Sequence, residues 1–170
     1  MKWTRCLLIV AVLAVSSALA ANAEQVIEAF RTPFGEVRGV AVNPTDSSVW
    51  VAAGGSIMHL AADASIIGQF DGFAGPGAIA VNPTDGSCWF TNPISVDLAN
   101  SEVIHLATDG TELLRLGGFY APSSLSVNPT DGSCWVTDPW SNETLHIAAD
   151  GTELLRSSDH YCWWEDSCRL

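Results

Sequence analysis

The sequence predicts an all-β protein: a partial β-propeller of about three four-stranded blades, preceded by a helical signal peptide. Three observations carry that expectation. Val42-Asn43-Pro44-Thr45-Asp46 recurs as Val81-Asn82-Pro83-Thr84-Asp85 and as Val127-Asn128-Pro129-Thr130-Asp131. Asn43 precedes Asn82 by 39 residues and Asn82 precedes Asn128 by 46, and periods of about 40–45 residues with short strands belong to propeller blades. Beyond residue 23, no segment combines helical period with helical length.

The elements follow in chain order. Residues 1–23 read as a secretory signal peptide, with a basic head at Lys2 and Arg5, an uncharged apolar stretch from Cys6 to Leu19, and small residues at Ala21-Asn22-Ala23 for cleavage. A membrane anchor is the competing reading, but the run is shorter than the ~18–20 residues that span a bilayer. No stable membrane insertion is expected after cleavage, and the protein is expected to be secreted, periplasmic or extracellular. The repeats then occupy residues 24–156, with blades at 38–76, 77–122 and 123–156, and a divergent Cys- and Trp-rich tail follows at 157–170.

Within a blade, strand a is expected at 39–43, 78–82 and 125–128. The Asn-Pro-Thr-Asp-Gly segment is a turn, because Pro presets φ for a type I turn and the Gly accepts the left-handed conformation that follows. Strand b follows at 49–52, 87–91 and 134–137, carrying Trp50, Trp89 or Trp135. Strand c is expected at 56–61, 102–107 and 144–148, with His59, His105 and His146. A second tight turn, Asp109-Gly110 or Asp150-Gly151, leads to strand d at 111–116 and 152–156. Copy one has only the degenerate Asp63-Ala64-Ser65-Ile66-Ile67 there. Strands a and b are apolar on both faces, as blades stacked face to face require. The repeated Trp is therefore expected in the inter-blade core, and the repeated His as a packed residue, not a metal ligand.

This pattern resembles the NHL-type six-bladed β-propeller repeat, and is similar to streptogramin-lyase-like and gluconolactonase-like propellers. The resemblance implies the fold. For activity it implies little, since such repeats carry packing residues and the fold hosts many functions.

Trp-to-His spacing is 9, 16 and 11 residues in the three copies, so the length variation falls in the loop between strands b and c. In a propeller the b–c and d–a loops share one face, and variable loops on a rigid scaffold carry binding residues. That face is expected to hold Asn92, Asp97, Asn100, Asp138, Trp140 and Asn142 from b–c loops, and Phe73, Phe119 and Tyr120 from d–a loops. Carboxylate, amide and aromatic groups together suit a sugar, a peptide or a hard cation. Ordinary solvated loop residues are the other reading. Asn142-Glu143-Thr144 also fits a glycosylation acceptor.

The net charge of −12, from 7 Lys+Arg against 19 Asp+Glu, disfavours nucleic acid and anionic membrane as partners. No catalytic motif appears, and no cofactor or metal site is expected. The leading expectation is an exported, non-catalytic binding or scaffold module for protein, peptide or glycan. The alternatives are a metal-dependent lactonase- or lyase-like propeller enzyme and a truncated fragment of a longer propeller. Cys162 and Cys168 are expected to form a local disulfide, with Cys88 and Cys134 reduced and buried. Closed propellers have about 4–8 blades, so three are expected to self-associate, as two half-propellers or a head-to-tail chain. Residues 25–30 would supply a strand d, and Tyr161-Cys162-Trp163-Trp164 resembles the strand b that begins at Ser133.

Overall fold

The computed structural model describes residues 35–94 and 96–158. The signal peptide, the 25–30 segment and the Cys162–Cys168 pair lie outside the described residues.

Among the described residues, twelve strands form three four-stranded antiparallel sheets in simple sequence order. The first holds β1 (Val37–Val42), β2 (Val49–Ala53), β3 (Ser56–Leu60) and β4 (Ile66–Asp71). The second holds β5 (Ile79–Val81), β6 (Cys88–Asn92), β7 (Ser101–Leu106) and β8 (Glu112–Phe119), and the third β9 (Ser124–Val127), β10 (Cys134–Asp138), β11 (Glu143–Ile147) and β12 (Glu153–Ser158). The inner strands β1, β5 and β9 lie side by side. The sheets are therefore blades around a common axis, and the chain is a partial β-propeller. The degenerate stretch of copy one does form its outer strand, β4. Strand ends elsewhere lie within three residues of the sequence expectation.

The turns explain the repeat. In each Asn-Pro-Thr-Asp segment the Asn carboxamide oxygen accepts the Thr amide, at 3.0 Å in blade 1 and 3.1 Å in blades 2 and 3. The Asp carboxylate accepts the amide of the Ser two residues on. Between them sits a left-handed residue: Ser47 (φ 62°), Gly86 (76°) or Gly132 (72°). Thr also reaches out of its blade. The Thr45 hydroxyl donates to the Pro83 carbonyl, and the Thr84 hydroxyl to the Pro129 carbonyl, both at 2.9 Å. The Trp50 indole N–H donates to the Gly86 carbonyl at 3.2 Å.

Apolar packing fills each gap. Trp50, Ala52 and Ile57 of blade 1 pack on Ile79, Cys88, Phe90, Ile104 and Leu106 of blade 2. Trp89, Val103 and Phe119 of blade 2 pack on Cys134, Val136, Leu145 and Ile147 of blade 3. The opposite face of blade 1, with Val49, Val51, Met58 and Leu60, is also buried. Cys88 and Cys134 are free and buried, at the place that Val49 occupies in blade 1.

Trp135 departs from the expectation. Trp50 and Trp89 are fully buried, but Trp135 is 40% exposed. Trp50 and Trp89 are each covered by the blade that follows their own, and no further blade stands over blade 3 among the described residues.

Candidate functional site

The repeated histidines have a structural use. In blade 2 the Ser87 hydroxyl donates to Asp85 at 2.6 Å and lies 2.8 Å from His105 Nε2. With the hydroxyl proton directed at Asp85, Nε2 is the donor in the second bond. The His105 ring stacks on Trp89 with centroids 4.2 Å apart. Blade 3 repeats this with Ser133 and His146 at 2.9 Å, and with His146 stacked on Trp135. In blade 1 His59 stacks on Trp50 and turns Nδ1 to the Thr108 carbonyl at 3.4 Å. The residue types are those of a hydrolytic triad, but the connectivity is not. In a triad the carboxylate orients the His; here it holds the Ser, and Ser87 is buried. Nor do three His, Cys, Asp or Glu side chains converge as a metal site anywhere among the described residues.

The b–c and d–a loops do emerge together, laced by hydrogen bonds. Ser101 Oγ donates to the Tyr120 carbonyl at 2.9 Å and accepts the Ile94 amide at 3.2 Å. Blade 1 has only Gly54-Gly55 between β2 and β3. Blade 2 has the long loop, with a single 3-10 turn at Leu98–Asn100. Blade 3 has Pro139-Trp140-Ser141-Asn142.

The candidate residues fall into two groups. Asn92 and Asp138 end β6 and β10 and are buried. Asn92 Oδ1 accepts the Gly75 amide at 3.1 Å, and its Nδ2 donates to Glu102 at 2.9 Å. Asp138 accepts two amides, Tyr120 on Oδ2 at 2.6 Å and Ala121 on Oδ1 at 3.0 Å. Both side chains hold d–a loops and offer no oxygen to an incoming ligand. Phe119 is buried at the end of β8, and Phe73 packs edge-on against Phe90 at 4.9 Å.

The second group is open to solvent. Asp97 and Asn100 are exposed and bonded to each other at 2.5 Å. Asn142 is exposed, with left-handed φ of 53°. Tyr120 is 40% exposed and Trp140 is 71% exposed. Their rings form an offset pair, with centroids 6.1 Å apart and planes at 28°. The structure thus brings together an aromatic pair contributed by two different loops, one before blade 3 and one within it. Ser101 and the Ser–His contacts were not singled out from the sequence. The Ser before each strand-b tryptophan and the His on strand c recur in register, and that was the available signal.

The fold can be set beside known proteins. No protein-family model matches the chain, and no curated protein matches it. Among solved structures it is similar to the hydrazine synthase of Kuenenia stuttgartiensis, with TM-score 0.62 and 17% identity over 81% of this chain and 38% of that one. It is also similar to a protein of unknown function from Bacteroides caccae, with TM-score 0.53 and 15% identity over 75% of this chain and 47% of that one. The chain spans less than half the length of either. At such identities the likeness is one of fold, and the chain stands as a propeller-like β protein.

Proposed function

We propose that the chain is an exported, NHL-type propeller repeat protein acting as a non-catalytic binding or scaffold module, and that it takes a neutral glycan or an extended peptide on its loop face. One observation carries this reading: the exposed Tyr120–Trp140 pair, mounted on hydrogen-bonded loops above a rigid set of blades. An exposed aromatic pair supplies apolar area whose removal from water favours association, and Tyr and Trp offer broad apolar faces with a polar edge. Polar groups elsewhere on the loop face, Asp97, Asn100 and Asn142, suit hydroxyls or peptide amides. The acidic surface disfavours sulfated or uronic glycans and nucleic acid.

The metal-dependent lactonase or lyase alternative is less supported, because Asn92 and Asp138 commit their oxygens to loop amides. Export rests on residues 1–23. The test is titration of the purified protein with neutral oligosaccharides and extended peptides, followed by intrinsic fluorescence. Tyr120→Ala and Trp140→Ala are each expected to weaken binding about tenfold, which corresponds to ~1.4 kcal/mol. No binder in either class, or binding indifferent to both substitutions, would overturn the reading.

A further inference from the structure

We propose that Asp138 is the positioning residue of the Tyr120–Trp140 pair, a buried carboxylate clasp that fixes both aromatic loops at once. The inference rests on the reading of that pair as the binding platform. Asp138 belongs by sequence to the loop that carries Trp140, two residues on across Pro139, whose ring restricts the intervening φ. Its carbonyl accepts the Ser141 amide at 3.2 Å, which closes the turn around Trp140. Its side chain holds the other loop through the amides of Tyr120 itself and of Ala121. One fully buried residue therefore sets the origin of one ring and the backbone of the other.

The other blades supply the comparison. Ala53 occupies the same place in blade 1 and can clasp nothing. Asn92 occupies it in blade 2, where one oxygen holds one amide and the nitrogen turns to Glu102. A neutral amide thus fits the site. Asp138 differs in having two carboxyl oxygens, each taken by a loop amide. Burying a carboxylate is unfavourable unless donors surround it. Among the described residues, the blade that carries this two-oxygen clasp is also the blade that carries Trp140, and the loop it clasps carries Tyr120. Holding a platform in its binding geometry beforehand removes the ordering cost that a ligand would otherwise meet.

Asp138→Asn in the full chain is the test, because Asn92 shows that asparagine is accommodated there. It leaves a single acceptor oxygen for two amides, and its nitrogen can turn to Glu143 as that of Asn92 turns to Glu102. Near-ultraviolet circular dichroism reads the pair: the band lost in common by Tyr120→Ala and Trp140→Ala belongs to their coupling. In Asp138→Asn that band is expected to fall to roughly half or less, with the far-ultraviolet spectrum unchanged, as loss of preorganisation would produce. A band of full amplitude in Asp138→Asn would overturn the proposal, and so would the absence of a shared band in the two aromatic variants. If the band falls but no oligosaccharide or peptide binds the wild-type protein, the clasp stands and the binding reading fails.

Discussion

Ala64 occupies a place that the other blades give to glycine. It sits in the turn between β3 and β4 at φ 65°, where Gly110 and Gly151 stand at 85° and 88°. The hydrogen bonding is the same in all three: Ala64, Gly110 and Gly151 donate to the carbonyls of Ala61, Ala107 and Ala148. A side chain in the left-handed region costs about 1–2 kcal/mol, and the added backbone freedom of glycine in the unfolded chain takes back about 0.5–1 kcal/mol. Ala64→Gly should therefore stabilise by about 0.5–1 kcal/mol, a rise in Tm of roughly 2–4 °C for a domain of this size. The reverse change differs between the other two turns. At Gly151 a Cβ would meet the flexible ends of the Leu114 and Leu116 side chains, at 3.1 and 3.5 Å, so Gly151→Ala should cost about 1 kcal/mol, chiefly backbone strain. At Gly110 a Cβ would overlap the Phe70 ring, which is itself packed beside Trp50. Overpacking adds about 1–3 kcal/mol to the same strain, so Gly110→Ala should cost about 2–4 kcal/mol. Urea unfolding of the three variants, read as midpoint and slope, checks the ranking. Destabilisation by Ala64→Gly, or equal losses at Gly110 and Gly151, would show that the turn geometry or the seat of Phe70 is wrong.

Three other expectations follow from burial. Trp89→Ala should cost about 3–5 kcal/mol, because it empties a site in a closed core, while Trp135→Ala should cost about 1–2 kcal/mol, since its ring is already partly in water and leaves no cavity; chemical denaturation decides, and the reverse order would refute the assignment of blade faces. Burial, partly opposed by the Thr108 carbonyl and Asp46 at His59 and by Asp85 at His105, holds both imidazoles below the ordinary value of 6.5. A depressed folded value means that the unfolded chain binds the proton first, so stability should begin to fall as pH drops through about 6.5 and go on falling until the folded residues titrate; a flat profile from pH 8 to pH 5 would contradict this. Burial also pushes the Cys88 thiol up and the Cys134 thiol to about 12, so iodoacetamide at pH 8 should modify neither until urea is added, as peptide mapping would show; native labelling at the unfolded rate would overturn it.

Much of the architecture was legible because each blade repeats the same chemistry. Asn-Pro-Thr-Asp is a turn on local grounds, and the lack of apolar–polar alternation in β2 assigns two buried faces without knowledge of what covers them. The failures share a cause. Trp135 has the same sequence surroundings as Trp89, and what differs is the neighbouring blade, which no local pattern contains. Asn92 and Asp138 read from the sequence as loop residues and are instead the buried last residues of β6 and β10, because residue type does not say whether a polar group meets water or a backbone amide. Their roles depend on Gly75 and Tyr120, which lie 17 and 18 residues away. β4 was obscured because Ala64 replaced the glycine that announces the turn elsewhere, although the fold absorbed the strain. Tyr120 and Trp140 were each visible as exposed-loop aromatics. That they meet could be learned only from the packing of two blades.

The hydroxyls of Thr45 and Thr84 bond forward, to the Pro83 and Pro129 carbonyls of the blade that follows, and Thr130 and Pro44 repeat the same residue types at the same turn positions. Every repeat therefore carries one plug and one socket of the same pattern, and the joint is indifferent to which copy supplies each half. A genetic exchange between equivalent points of two repeats, such as Thr84 and Thr130, yields a hybrid blade with both halves of its joints in place. Blade number in such a protein is free to drift by whole units through recombination, while an insertion that interrupts a turn destroys two joints together. A designer could lengthen or shorten the array on the same terms, by cutting at matching turn positions and leaving the interior of every blade untouched.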